Sequence, residues 1–340
     1  MLRLAALASF ALAAAAPRAI AQDVGLLLGV ADRRTQYDST PERLSTWWIT
    51  YREGKAFPAK TVAGLVVPRE SGFWRFGISR FCTLPTAENG LTEHHCADSI
   101  WTRVAAQAAP RARVTAPGDA CPVDALSIQF ASPAFLSISR NYWRSECRGS
   151  FLDGQESFVH TYESADSVSF ATLGAGARAA YRGAAAQALN VGAADSLQVQ
   201  QDESCHTEPD EDTGWFIRRQ QNRWSAVLFQ QHGSDLCVFQ QPIDWALPAR
   251  AIGYAETAID WNGVTRLEPD AEQAFLAPGG ALALIVVPNA IRLYTAAAGV
   301  PGDKLLEFPR PQDPARDVVM VQWALGRSVS RWTQMLAEVR

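Results

Sequence analysis

The chain has few lysines and lacks the short motifs of most metal and hydrolase sites. Lysine occurs only at Lys55, Lys60 and Lys304, in 340 residues with a formal net charge of −4. Because the sequence has no basic stripe, it predicts no nucleic-acid partner. No CxxC, GxSxG or HExxH occurs, which argues against a thioredoxin-like or zinc-ribbon site and leaves no local hydrolase signature.

Long hydrophobic runs are confined to the start of the chain. Arg3 precedes the apolar stretch 4–16, and Ala19-Ile20-Ala21 is the small-x-small pattern that a signal peptidase recognises. The apolar stretch is shorter than the roughly 20 residues of a membrane span. Residues 1–21 therefore predict a signal peptide, cleavage before Gln22, and a periplasmic or secreted protein with no integral membrane segment.

The predicted mature chain is mildly acidic. Removal of Arg3 and Arg18 leaves 29 basic and 35 acidic side chains, a net charge of −6.

Six cysteines follow the predicted cleavage site: Cys82, Cys96, Cys121, Cys147, Cys205 and Cys237. An even number in an exported protein predicts disulfides, with 15 possible pairings. We expect Cys205–Cys237, since both cysteines border predicted strand ends, and next Cys82–Cys96 and Cys121–Cys147, which are close in sequence. Zinc bound by the cysteines with His94, His95 or His206 is the alternative, but an oxidising compartment favours disulfides. No metal or cofactor is predicted.

Short alternating apolar runs bounded by Gly, Pro and Asp predict a mainly β or α+β fold. Antiparallel sheets are expected, with one internal helix and a C-terminal helix. The predicted strands are 45–51, 64–67, 73–81, 126–130, 135–138, 157–162, 167–170, 215–219, 224–229, 236–240, 281–287, 291–294 and 318–323. Residues 105–121 predict a loop or linker. The expected organisation is a β-rich segment 22–112, a central α+β domain 122–248, and a hairpin segment with terminal helix 249–340.

Two segments are predicted to be helical, and one further segment suggests a β-propeller blade. The alanine-rich stretch 174–189 predicts the internal helix. In the stretch 328–339, Val329, Trp332, Met335 and Leu336 fall on one helical face. The stretch 275–294 resembles two strands of a propeller blade, with a Pro-Gly turn before a buried strand. Only one clear copy occurs, so the sequence does not show the repeat that a propeller requires.

Two segments qualify as ligand sites by composition. Gly174 to Ala179 has the GxGxxA form of a dinucleotide-binding turn, but no buried strand ending in Asp or Glu follows. We expect ordinary helix-start glycines and a packing helix with a face of Ala180, Ala184 and Leu189 beside Tyr181 and Ala185. The acidic stretch 202–212 lacks EF-hand spacing and is expected to be a solvated loop.

Eleven tryptophans suggest binding through aromatic surfaces. Trp47 and Trp48 are adjacent on a predicted strand, so they should point to opposite faces. Trp74, Trp224 and Trp323 lie in apolar strand contexts typical of a core.

The central region resembles a known extracellular domain. Its features are Ile128-Gln129-Phe130, the strand at Leu136, the strand 157–162, the strand-to-helix step 168–185, and the strand pair from Trp215. In this order, over 126–240, they resemble the domain found in lysozyme-sensing anti-sigma factors and some peptidoglycan deacetylases. The resemblance implies an α+β envelope domain that binds rather than catalyses.

Together these observations predict an exported, non-enzymatic binding module of the bacterial envelope or extracellular space. Its partner would be an envelope protein or a glycan. A secreted hydrolase acting on cell-wall or extracellular polymers is the alternative, since a catalytic triad or carboxylate pair is a spatial arrangement that sequence does not display.

Overall fold

The computed structural model is mainly antiparallel β-sheet, as the sequence predicts. It describes residues 23–33, 41–58, 60–69, 72–83, 95–104, 112–114, 125–142, 154–161, 176–177, 179–184, 187, 215–232, 237–245, 247–253, 257–311 and 315–339. Five sheets follow one another along this part of the chain.

Sheets 1 and 2 are formed by the first part of the chain. Sheet 1 begins with β1 (Val24–Asp32), β2 (Arg43–Arg52), β3 (Lys55–Phe57) and β4 (Thr61–Ala63). Sheet 2 contains β5 (Leu65–Arg69), β6 (Gly72–Thr83), β7 (His95–Val104) and β8 (Ala112–Val114). In the turn between β2 and β3, the central residues Glu53 and Gly54 both have positive φ, as tight hairpins require.

Sheets 3 and 4 are formed by the central part of the chain. Sheet 3 contains β9 (Ala125–Ala131), β10 (Phe135–Tyr142) and β11 (Gly154–Thr161). Sheet 4 contains β12 (Trp215–Gln220), β13 (Arg223–His232) and β14 (Cys237–Pro242).

Sheet 5 and three helices follow. After α1 (Ala249–Ile252) and α2 (Trp261–Leu267), sheet 5 contains β15 (Gln273–Leu276), β16 (Leu282–Val287), β17 (Ala290–Ala297) and β18 (Val300–Pro309). The predicted Pro-Gly turn before the buried strand β16 is confirmed, with positive φ at Gly279 and Gly280. The chain ends with β19 (Arg316–Leu325) and α3 (Arg327–Ala337).

The last strand closes the arrangement by joining the first sheet. Strand β19 pairs antiparallel with β1, so sheet 1 has the order β19-β1-β2-β3, with β4 also on β2. Each sheet has a strand at one end of its order that has no strand neighbour on its outer edge in that sheet. We call these the first strands; they are β19, β5, β9, β12 and β15. Successive antiparallel sheets, here of three to five described strands, with a terminal strand that joins the first sheet, resemble the organisation of a β-propeller.

Each first strand is bonded along its free edge by the preceding sheet. The Thr46 hydroxyl in sheet 1 accepts the Val66 N–H of β5 at 2.8 Å. Asp98 in sheet 2 accepts the Leu126 N–H of β9 at 3.0 Å, and Ser137 in sheet 3 accepts the Ile217 N–H of β12 at 3.0 Å.

The same pattern completes the ring. Arg219 in sheet 4 donates to the Ala274 carbonyl of β15, and Arg310, just after sheet 5, donates to the Arg316 carbonyl of β19. Buried backbone groups that lack a strand partner are thereby satisfied.

Two hydrophobic clusters lie on opposite faces of sheet 1. One joins β1 to sheets 3, 4 and 5, with Leu26, Phe130, Trp224 and Leu284 among its members. The other joins sheet 1 to sheets 2 and 3 and to α3. Strand β1 is therefore buried on both faces, and the clusters extend across all three segments expected from sequence.

Helix α3 confirms the predicted terminal helix. Val329 and Leu336 are buried, and Trp332 packs against Trp48 and Phe73 with ring centroids 5.9 and 5.5 Å apart. The Lys60 ammonium donates to carbonyls at the end of this helix, to Leu336 at 2.7 Å and Val339 at 2.9 Å.

Two structural predictions need correction. Residues 112–114, expected in a loop, form β8 because their backbone pairs with β7. The internal helix is confirmed at residues 177, 179–184 and 187, but Ala180 is exposed. Ala177 and Tyr181 are buried instead and Ala184 packs beside them, one helical turn apart, against the first cluster.

Candidate functional site

A pocket of about 410 Å³ lies between sheet 1 and sheet 5. Residues of β1, β2, β4 and the start of β19 line it from sheet 1, and the end of β18 lines it from sheet 5. Its volume is within the range of small-molecule sites, about 300 to 1,000 Å³. The pocket is thus where the first and last sheets meet.

One wall of the pocket is apolar and largely aromatic. It is lined by Trp47, Ile49, Phe308 and Pro309. The ring centroids of Trp47 and Phe308 are 5.0 Å apart and the rings are inclined at 43°, so a side chain of sheet 1 contacts one of sheet 5. Both rings are half-buried, and each keeps surface for an apolar ligand.

The remaining lining is polar and carries more positive than negative charge. It consists of Asp32, Arg43, Ser45, Thr61 and Arg316. The Arg316 guanidinium donates to both Asp32 oxygens, at 2.6 and 3.3 Å, and lies 5.4 Å from the Trp47 ring centroid. Arg43 is exposed and forms no ion pair with any residue that the structure describes.

Strand alternation and register place these side chains together. Arg43, Ser45, Trp47 and Ile49 alternate along β2 and line the same pocket, since side chains two residues apart share a face. The register puts Asp32 of β1 between Arg43 of β2 and Arg316 of β19. Asp32 is paired with Arg316, which leaves Arg43 available to a ligand.

A buried ion network lies beside the pocket at the same end of the sheets. Arg33 donates to Glu42 at 2.7 Å, to Asp317 at 2.8 Å and to the Ile128 carbonyl at 2.8 Å. Glu42 in turn accepts the Ile128 N–H at 2.9 Å. Arg310 adds a second ion pair to Asp317 at 3.1 Å. This network links sheets 1, 3 and 5.

The network shifts the pKa values of two of its members. Burial by itself lowers the pKa of Arg33, but the charges of Glu42 and Asp317 outweigh it and raise that pKa. Burial would raise the pKa of Asp317, yet Arg33 and Arg310 lower it below its ordinary value. Both groups are therefore held in their charged forms.

A second polar cluster fixes α2 to sheet 5. Glu268, which follows α2, accepts from the Tyr294 hydroxyl and from Arg292 at 2.5 Å. Burial, and then the Glu268 carboxylate, raises the pKa of Tyr294 far above its ordinary value. Arg292 also pairs with Glu307 at 2.9 Å. These groups bond one another, so the cluster is a structural joint.

The six cysteines are placed only in part. Cys121, Cys147 and Cys205 lie outside the described residues, so the Cys205–Cys237 and Cys121–Cys147 pairings stay predictions. Cys82 and Cys96 are directly opposite across β6 and β7. Opposite residues of antiparallel strands have Cα atoms about 4.5 to 5.5 Å apart, within the range that a disulfide spans. The register is therefore compatible with the predicted Cys82–Cys96 bond.

The other candidate segments lie mostly outside the described residues. The signal sequence, the acidic stretch 202–212, His94 and His206 lie outside the described residues. Of the GxGxxA turn, only Gly176, Ala177 and Ala179 are described. Among the described residues, no three His, Cys, Asp or Glu side chains cluster as metal ligands. No helix within them is both long and apolar enough to span a bilayer.

Trp47 is the one member of the pocket that sequence reasoning singled out. Trp48 is buried against sheet 2 and α3 while Trp47 faces sheet 5, so the predicted opposition of the two is confirmed. Trp224 is buried, and Trp74 and Trp323 pack against the clusters as predicted. Arg43, Phe308 and Arg316 were not identified.

Comparison with protein-family models, curated proteins and solved structures gives no match.

Proposed function

We propose that this protein is an exported, non-enzymatic binding protein of the bacterial envelope or extracellular space. The pocket between sheets 1 and 5 holds its ligand. Export rests on the signal-like residues 1–21, and the envelope setting also on the likeness of 126–240 to the extracellular domain of lysozyme-sensing anti-sigma factors.

The composition of the pocket carries the binding proposal. The pocket combines an apolar wall with polar and charged groups, and small-molecule sites use the first for contact area and the second for orientation. Trp47 and Phe308 supply contact area, while Ser45 and Thr61 can orient a ligand through hydrogen bonds.

The same pocket favours binding over hydrolysis. A hydrolase needs two or more titratable groups that converge on the bond to be cleaved. In the described lining, Asp32 is the single carboxylate, and Arg316 binds both of its oxygens.

A pocket-filling variant tests the proposal. Thr61 is exposed on β4 and stands directly opposite Trp47, so Thr61→Trp places an indole in the pocket. Ser330→Trp adds the same bulk at an exposed position on α3 and is the matched control.

Mature wild-type protein and both variants are immobilised and exposed to detergent-solubilised envelope from the native cells. Bound small molecules and glycans are then released and identified by mass spectrometry. We expect at least one component to be retained by the wild type and by Ser330→Trp but not by Thr61→Trp. If all three proteins retain the same components, the pocket is not the ligand site.

A further inference from the structure

We infer that the pocket binds an organic anion: a molecule with an apolar or aromatic ring body and one carboxylate- or sulfonate-like group, which pairs with Arg43. This inference rests on the proposed function, because it names the chemical class of ligand for the same pocket.

The charge of the lining points to an anion. Two guanidinium groups and one carboxylate face the pocket, and the carboxylate of Asp32 is bound at 2.6 Å to Arg316. Arg43 therefore remains as an uncompensated positive charge among the described lining residues. A guanidinium presents paired donors that match a carboxylate or sulfonate bidentately.

Arg316 has a different part in the pocket. It is bonded to Asp32 and also lies against Trp47, with its guanidinium carbon 5.4 Å from the ring centroid. These two contacts hold Arg316 in place. Arg43 is therefore the guanidinium that can pair with an anionic ligand.

The apolar wall sets the body of the ligand. Trp47, Phe308 and Pro309 give solvent-accessible apolar surface, and covering it with an apolar group is favourable. A small inorganic anion would leave this wall solvated, and a neutral hydrocarbon would leave Arg43 unpaired. An amphipathic anion uses both parts of the site.

Two fluorescent probes of the same shape separate these contributions. 8-Anilinonaphthalene-1-sulfonate carries one negative charge, and N-phenyl-1-naphthylamine has the same ring system without the sulfonate. Each is titrated into mature wild-type protein, Arg43→Met, Thr61→Trp and the charge-matched control Arg218→Met. Arg218 is exposed on β12, in another sheet. Circular dichroism melts verify that each variant is folded.

We expect the wild type to bind the anilinonaphthalene sulfonate about tenfold more tightly than the uncharged probe, the effect of one charge-assisted contact. Arg43→Met should remove this preference and leave the uncharged probe within about twofold of wild type. Arg218→Met should change neither affinity, and Thr61→Trp should abolish both.

The outcomes distinguish the two proposals. If Thr61→Trp abolishes binding of the uncharged probe but the sulfonate binds no more tightly, or if Arg43→Met keeps the preference, the anion inference is overturned and the pocket proposal stands. If neither probe binds the wild type, or if Thr61→Trp binds both as wild type does, both proposals fail. The comparison of probes on wild-type protein decides the question even if one variant does not fold.

Discussion

Substitution of Arg33 should cost much of the protein's stability. Its guanidinium bonds Glu42, Asp317 and the Ile128 carbonyl, and it joins sheets 1 and 3. Arg33→Met keeps much of the aliphatic stem but removes all these donors. Glu42, whose side chain is 1% exposed, would keep its bond from the Ile128 N–H and lose its cation.

The size of the effect follows from which partners are left unpaired. Removing one member of a buried ion pair costs about 3 to 5 kcal/mol, because the other charge stays buried. The Asp317 side chain is 34% exposed and keeps its ion pair with Arg310. Loss of the Arg33–Asp317 ion pair therefore adds only about 0.5 kcal/mol. We therefore expect Arg33→Met to lower the free energy of unfolding by about 4 kcal/mol.

A double-mutant cycle isolates the pair. Glu42→Gln keeps an acceptor for the Ile128 N–H and leaves Arg33 with Asp317, so it should cost about 2 kcal/mol, as for one charged hydrogen bond. Arg33→Met with Glu42→Gln buries no unpaired charge and should cost about 3 kcal/mol, which makes the coupling about 3 kcal/mol. Urea unfolding followed by tryptophan fluorescence gives all four free energies.

An exposed ion pair elsewhere in the protein provides the control. Arg266 is 77% exposed, and its 3.7 Å pair with Asp260 should be worth little, so Arg266→Met should cost less than about 0.5 kcal/mol. If Arg33→Met also stays within about 1 kcal/mol of wild type, or if the two single effects simply add, the network does not stabilise the junction as argued.

The contacts of Lys60, Asp317, Ala184 and the Cys82–Cys96 pair can each be tested by one measurement. Lys60→Met should lower the free energy of unfolding by about 1 to 2 kcal/mol, because it removes the ammonium from the carbonyls at the end of α3; urea unfolding tests it, with the distant Lys304→Met as control. Because the pKa of Asp317 is lowered in the folded protein, its contribution to stability is complete above its ordinary pKa and is lost as the pH falls through the folded-state value. Asp317→Asn should therefore flatten the decline of the urea unfolding midpoint between about pH 5 and pH 3. An unchanged slope would contradict this. Ala184→Arg should reduce the melting temperature, because a charge would enter the half-buried contact of the internal helix, whereas Ala180→Arg at the exposed position should not. Non-reducing peptide mapping should recover the peptides of Cys82 and Cys96 joined, and free thiols at both would refute the pairing.

Strands with a clear pattern could be predicted, and strands without one could not. β2 alternates between its two faces, and β16 is a short continuous apolar run, so the sequence predicts both. β1 has no alternation because a hydrophobic cluster covers each of its faces, and continuous apolar runs are ambiguous by periodicity. β18 is mostly exposed, so hydrophobic periodicity gave no signal there.

The pocket could not be predicted from the sequence, for a different reason. Arg43 and Trp47 share a strand, and alternation alone puts them on one face. Phe308 and Arg316 reach that face only because β19 pairs with β1 and brings sheet 5 beside sheet 1. Such pairing between the ends of the chain leaves no local trace in the sequence.

The sheets repeat in the structure but not in the sequence, and this also has a physical reason. Each junction satisfies the free edge of a first strand, but Thr46, Asp98, Ser137 and Arg219 do so from different strands and with different chemistry. The requirement that buried backbone groups be bonded constrains the geometry rather than the residue type, so no conserved spacing results.

The junction that closes the ring differs from those made by short hydroxyls, and the difference accounts for the position of the pocket. Thr46 and Ser137 each bond the next sheet through one short side chain. Between sheets 5 and 1, the long side chains of Arg310 and Arg316 supply the bonds, from Arg310 to the Arg316 carbonyl and from Arg316 to the Pro309 carbonyl at 3.4 Å. The aromatic contact of Trp47 with Phe308 fills part of the space beside them. The rest is open, and it is there that Arg43 provides a charge for a ligand to pair with.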